Sequence, residues 1–277
     1  MSKKHLIMEK AIELFSEQGI EATSVQQITE LCGISKGAFY LHFKSKDELI
    51  TCIIDYFMTN IIADIEQAVS EETHDDQLLY RYLYISFKSL QKQVNSAKFF
   101  LNEQVFTFNK DLFERIQMYM SLINKILFKV IQRQFSKTRL DLHLDILFTV
   151  NGLAKSYTEL LLIDDNPTNI DLFCKAIVEK TKIIAEHATI SFLTPEYLEK
   201  TDIQLNISKE MVIQRLEEAI SESEEDPLIL ESLHLLLEEL HSPKFNEVII
   251  QGLLNNIRTK RHYRWIAYIY QIYRESI

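Results

Sequence analysis

At 277 residues, 47% of them apolar but only five glycine and four proline, the chain can bury a sizeable core and has too few turn formers for a strand-rich fold. Forty acids against thirty bases give a formal charge of -10. That excludes a protein coating nucleic acid non-specifically, and it leaves room for a local cationic surface on an acidic body. Three cysteines (Cys32, Cys52, Cys174) without CxxC or ligand spacing exclude a disulfide framework and point to a reducing, cytoplasmic setting.

The start MSKKHLIMEK has no apolar stretch of signal-peptide length, and no run of about 18 uncharged apolar residues follows, so neither a leader nor a membrane span is expected. The informative segment runs from Ser24 to Leu49. Val25, Ile28 and Leu31 recur every three residues on one face of a short helix, for which Ser24 with Gln27 forms a capping-box pattern. Gly33 supplies the positive φ of a helix end, Ile34 follows as an elbow, and Ser35 can cap the next helix.

That second helix is predicted from Lys36 to about Phe43, with Phe39 and Phe43 turned inward at i,i+4. Gly37 and Ala38 allow close approach to a duplex, while Lys36, Tyr40, His42, Lys44 and Lys46 suit phosphates. No carboxylate occurs between Cys32 and Lys46. Thr23, Ser24, Val25 and Ser35, at the two helix starts, complete the candidate DNA-contacting set.

The pattern Lys36-Gly37-x-Phe39-Tyr40-x-His42-Phe43-x-x-Lys46-x-x-Leu49 resembles the recognition helix and following long helix of the TetR/AcrR family of bacterial regulators. Ala11-x-x-Leu14-Phe15, Gly19 and Thr23-Ser24 match its upstream part, so the likeness covers about the first fifty residues. Ala38 departs from it, since the family often has a larger or polar side chain there; a methyl touch on thymine is what alanine can offer. The resemblance implies an all-α fold: an N-terminal three-helix helix-turn-helix domain, a helical ligand-binding and dimerisation body, and here an extra C-terminal helical extension. The corresponding units are residues 1–47, 48–194 and 195–277. It also implies a homodimer on a pseudo-palindromic double-stranded operator, a repressor released by a small apolar or amphipathic effector, and target genes for efflux, lipid handling or detoxification.

Further along, a long helix from Asp47 to about Ser70 links reader to body, and the polar cluster 71–76 ends it. A helix from near Gln77 carries Tyr80, Tyr82, Tyr84 and Phe87. From Ala97 to Phe135 the chain is rich in aromatic residues, and Phe99, Phe106, Met118, Tyr119 and Phe128 are candidates to line an effector cavity; stripes at this spacing equally build plain core. Helices from Leu140 to Ile163 and from Thr168 to about Phe192 resemble the family's dimer-forming pair. Leu142, Ile146, Val150 and Leu153 on one, and Leu172, Ala176 and Ile183 on the other, are the candidate interface.

Beyond Pro195 the tail carries 15 acids against 9 bases and reads as four helical pieces: Pro195 to about Thr201, Ser208–Ser221, Pro227–His241 opened by its proline, and Pro243–Ser276 with a break near Arg258. Its basic run Arg258–Arg264 could meet DNA, anionic lipid or an acidic partner, or simply offset the acidic tail. The alternative to a small effector is control by a protein partner bound through this extension. No catalytic motif, phosphate-cradling loop or metal-ligand spacing occurs, so neither enzyme, cofactor nor metal is expected; Asp141, His143 and Asp145 alternate at period two and would leave a helix on different faces.

Overall fold

The computed structural model describes residues 3–92, 110–163, 169–193, 207–222 and 226–276. Among them are twelve α-helices and no strand. The first, α1 (Lys3–Gln18), buries Ile7, Met8, Ala11 and Phe15 along one stripe. Helix α2 (Val25–Cys32) opens on the full capping box: the Gln27 amide donates to Ser24 Oγ at 3.2 Å, and Gln27 Oε1 accepts from the Ser24 amide at 2.8 Å. It ends on Gly33, whose φ of 66° lies in the left-handed region that a side chain would strain.

Helix α3 spans only Lys36–Tyr40, shorter than the Lys36–Phe43 expected. The amides of His42 and Phe43 both donate to the Phe39 carbonyl, at 2.9 and 3.0 Å, which tightens the end into a turn. Phe39 and Phe43 are nonetheless fully buried, as their spacing required.

Helix α4 (Lys46–Ser70), about 37 Å long, is the axis of the molecule. Leu49, Ile50, Ile53, Ile54, Phe57, Ile61, Ile62 and Ile65 are buried on several sides of it, because α1, α5 (Leu78–Lys92), α6 (Lys110–Gln134) and the last helix all pack against it. Helices α7 (His143–Ile163) and α8 (Ile170–His187) complete the body, α7 packing on α6 and α8, and α8 also on α5. Helix α8 stops at His187 rather than near Phe192. The Asp145 carboxylate accepts from Ser191 Oγ at 2.9 Å and from the Phe192 amide at 3.0 Å, holding those residues out of the helix.

The C-terminal helices are α9 (Lys209–Glu222), α10 (Pro227–His241), α11 (Glu247–Arg258) and α12 (Arg264–Ser276). Pro227 opens α10 as expected, with Asp226 capping the Leu228 amide. Pro243 opens nothing: the buried Glu239 carboxylate accepts from the amides of Lys244 and Phe245 at 2.7 and 2.9 Å, and Asn246 caps α11 instead. Helix α12 buries Trp265, Ile266, Tyr268, Ile269, Tyr270 and Ile272 and packs against α9, α11 and α4. The tail piece expected at 195–201 lies outside the described residues.

Candidate nucleic-acid interface

The α2–α3 pair stands on a small core of Ile28, Phe39 and Phe43, packed with Ile7, Ala11 and Phe15 of α1. What remains outward is set by those inward anchors. Ser35, Lys36, Gly37, Tyr40 and Lys44 are exposed, and Ala38 and His42 are half-buried. The Tyr40 ring meets Phe39 edge-on at 5.3 Å, which fixes its direction. Ser24 is exposed but spends its hydroxyl on Gln27, Ser35 Oγ accepts from the Ala38 amide at 3.2 Å, and Val25 leans half-buried on the core.

Two members of the expected DNA-contacting set are turned inward. Thr23 is 1% exposed, and its hydroxyl donates to the Gly19 carbonyl at 2.7 Å while accepting from Gln18 Nε2. Lys46 Nζ donates to the carbonyls of Ile20 and Thr23 at 2.9 and 3.0 Å, so its charge closes the α1–α2 turn onto the start of α4. The turn that occupies both cannot be seen in a linear pattern, which shows them only as polar residues flanking the reading pair. Conversely, Leu41 stands 84% exposed beside Tyr40, a surface position not anticipated. Its signal is present in the sequence: it lies two residues from each of the inward Phe39 and Phe43.

In the body, Phe99 and Phe106 lie outside the described residues. Tyr119 is core and not cavity wall: it is 1% exposed, its hydroxyl donates to Asp55 Oδ1 at 2.8 Å, and its ring centre lies 5.8 Å from that of Trp265. Met118 and Phe128 are half-buried against the same core. Among the described residues a groove of about 720 Å³ runs between α5 and α8, lined by Asp76, Tyr80, Asp171, Lys175, Glu179 and Ile183 among others, and so carries charged side chains and a single aromatic ring. Within it the Tyr80 hydroxyl donates to Asp171 at 2.7 Å; burial, reinforced by that carboxylate, pushes its pKa up to about 12.

The candidate interface divides. Leu142, Ile146 and Val150 are buried inside the chain itself and cannot meet a partner; Leu153 and Ala176 are half-buried, while Leu172 and Ile183 are exposed. On α7 the one large apolar side chain that stands exposed among the described residues is Phe148, at 47%. The side chains of Asp141, His143 and Asp145 do not converge: they meet Arg139, the Phe135 carbonyl and the 191–193 segment in turn.

A family model described as bacterial regulatory proteins, tetR family, matches residues 7–51, which are α1 to the start of α4. Residues 7–51 thus form a DNA-binding domain of the TetR/AcrR type found in bacterial transcriptional regulators. It is 24% identical to the HTH-type transcriptional regulator YerO of Bacillus subtilis (strain 168) over 260 residues, 92% of this chain and 89% of that protein. The regulator YuxN of the same strain is 21% identical over 266 residues, 92% of this chain and 91% of its own length. These likenesses therefore run through the C-terminal helices as well as the reader. The crystal structure of the transcriptional regulator FadR from Bacillus subtilis in complex with stearoyl-CoA shares the fold, with a TM-score of 0.56 and 19% identity over 64% of this chain and 96% of that one. With this domain the chain is a DNA-binding transcriptional regulator and not an enzyme, and among its described residues no helix is long and apolar enough to cross a membrane.

Proposed function

We propose that the chain acts as a homodimeric repressor whose two α3 segments enter successive major grooves of a pseudo-palindromic operator, and that a small, largely apolar effector bound in the body releases it. The observation that carries the DNA half of this reading is the outward face of residues 35–44, where Lys36, Tyr40, Leu41 and Lys44 stand exposed on a surface without a carboxylate between Gly33 and Ser45. Lysines and the tyrosine hydroxyl take phosphates, while Ala38 and Leu41 offer apolar contact to thymine methyls or sugars. Leu172, Ile183 and Phe148 supply exposed apolar area on α7 and α8 for an isologous four-helix contact.

The effector is supported by likeness in fold to a regulator crystallised with stearoyl-CoA. A 100-fold loss of operator affinity asks for about 2.7 kcal/mol of differential effector binding, within the usual range of allosteric coupling. Genes for efflux, lipid handling or detoxification are the targets the family suggests. The deciding experiment is a titration of the purified full chain against a fragment of its own upstream region and against random duplex, with and without long-chain acyl-CoA. Equal affinity for both duplexes at every salt concentration would overturn the reading. Preference for the upstream fragment that acyl-CoA and other apolar compounds leave untouched would shift control to the second reading, a protein partner acting through the C-terminal helices, which the packing of α12 on α4 favours.

A further inference from the structure

The helix that carries the reader, α4, is held by the C-terminal helices through two sets of charged contacts. At Asp55, 16% exposed at its side chain, the carboxylate accepts from Arg115 of α6 at 3.0 Å, from Arg215 of α9 at 3.2 Å and from the Tyr119 hydroxyl at 2.8 Å. Nine residues further on, Asp64 accepts a two-pronged contact from Arg261, Nε at 3.2 Å and Nη2 at 2.7 Å, with Arg264 Nη1 at 3.7 Å. The basic run that the sequence leaves open to DNA, lipid or a partner is thus turned onto the chain's own linker helix; Arg258 at its start donates to Gln271 of α12.

Two features set these contacts apart from ordinary docking. The apolar face of α12 already supplies non-directional burial against α4, whereas a guanidinium fork on a carboxylate adds a directional, two-point contact. The far end of the same helix begins at Lys46, whose ammonium grips the carbonyls of residues 20 and 23 ahead of α2. A rigid rod therefore runs from the Arg261–Asp64 contact to the turn that orients the reading pair, with charged joints at both ends.

We propose that the C-terminal helices are a built-in clamp on α4, which uses the Arg261–Asp64 and Arg215–Asp55 contacts to hold the reader in one orientation and so sets operator affinity without touching DNA. This rests on the operator-binding reading above. Heads already held in position lose less freedom on binding two half-sites, so the clamp strengthens specific binding, and whatever pries α12 from α4 weakens it. The phosphate contacts are unchanged by the clamp, and with them the salt dependence.

The test uses the full chain with Asp64→Asn, the milder Arg261→Gln, and the two combined. The expected result is a loss of upstream-fragment affinity of about 3- to 10-fold for each single variant, at an unchanged salt slope and unchanged random-duplex affinity, with no further loss in the double variant beyond that of the larger single one. Hydrogen exchange gives a readout free of DNA: protection should fall together in α4 and in residues 20–45, not in the C-terminal helices alone. Wild-type affinity in both single variants, or lost protection confined to residues 207–276, overturns the clamp. A wild-type chain without preference for any fragment overturns the operator reading instead, and the exchange pattern then judges the clamp by itself.

Discussion

The ammonium of Lys46 lies 3.0 Å from the carbonyl of Thr23, so the first residue of α4 is tied to the turn that launches the α2–α3 pair. A charge-assisted contact of this kind is worth about 1.5–3 kcal/mol, and here a second bond, to Ile20, shares it. Lys46→Ala should therefore lower stability by about 1–3 kcal/mol and weaken specific DNA binding while leaving the salt slope where it was. Urea denaturation together with a salt titration checks both halves. A slope reduced by about 1 would mean that the residue neutralises a phosphate after all.

Lys44 is the contrasting case. Its side chain is exposed, and only its backbone amide is engaged, donating to the Glu48 carboxylate. Lys44→Ala should cost little stability, within about 0.5 kcal/mol, yet reduce the salt slope by about 1 and weaken binding uniformly across sequences. Equal slopes for the variant and the parent would remove Lys44 from the phosphate set.

The two lysines show what a linear pattern carries. Ser24 with Gln27, Gly33 and Ser35 act through neighbours three or four residues away, and the inward direction of Phe39 and Phe43 follows from their i,i+4 spacing, so each lies where its spacing puts it. Lys46 and Thr23 are 23 residues apart and meet only because α4 doubles back beside α1, so their engagement is invisible in the sequence. The same holds for α12: its apolar stripe is readable, but not the helix it packs on, and the contact just ahead of it joins Arg261 to Asp64 across 197 residues. On α7 the apolar period leaves two phases open, since both the buried Ile146 and Val150 and the outward Phe148 are hydrophobic.

Gly33 carries its backbone at φ 66° with open space where a Cβ would stand. Gly33→Ala should thus cost about 1 kcal/mol, from left-handed strain alone and not from a clash. Thermal denaturation would show a lowered midpoint with the helical signal intact. An unchanged midpoint would show that the turn can relax out of the left-handed region.

Phe148 and Val150 are two residues apart on α7 and should answer oppositely to the same change. Phe148→Asp places a charge on the exposed side of α7, at the proposed interface, so sedimentation should find a folded monomer in place of a dimer. Val150→Asp buries that charge in the chain's own core and should unfold or severely destabilise it, by about 3–5 kcal/mol. A Phe148→Asp variant that stays dimeric would move the interface off this face.

Glu66 sits on α4 near Arg258, Lys129 and Glu275, where α6 and α12 close over the helix. Burial raises its carboxyl above the ordinary 4.5, and Arg258 and Lys129 offset this only in part. The folded chain thus holds the Glu66 proton more tightly than the unfolded chain does. Below the ordinary carboxylate range both states are protonated and the folded state carries no penalty; as pH rises through 4.5 and on through the raised folded value, that advantage is lost. Glu66→Gln keeps the shape and removes the charge. It should therefore melt progressively higher than the parent as pH rises from about 4 to about 7, with the two converging at the acid end. A gap of the same size at both ends would mean that the substitution acts through packing, and that the α4–α12 seam does not favour the neutral carboxyl.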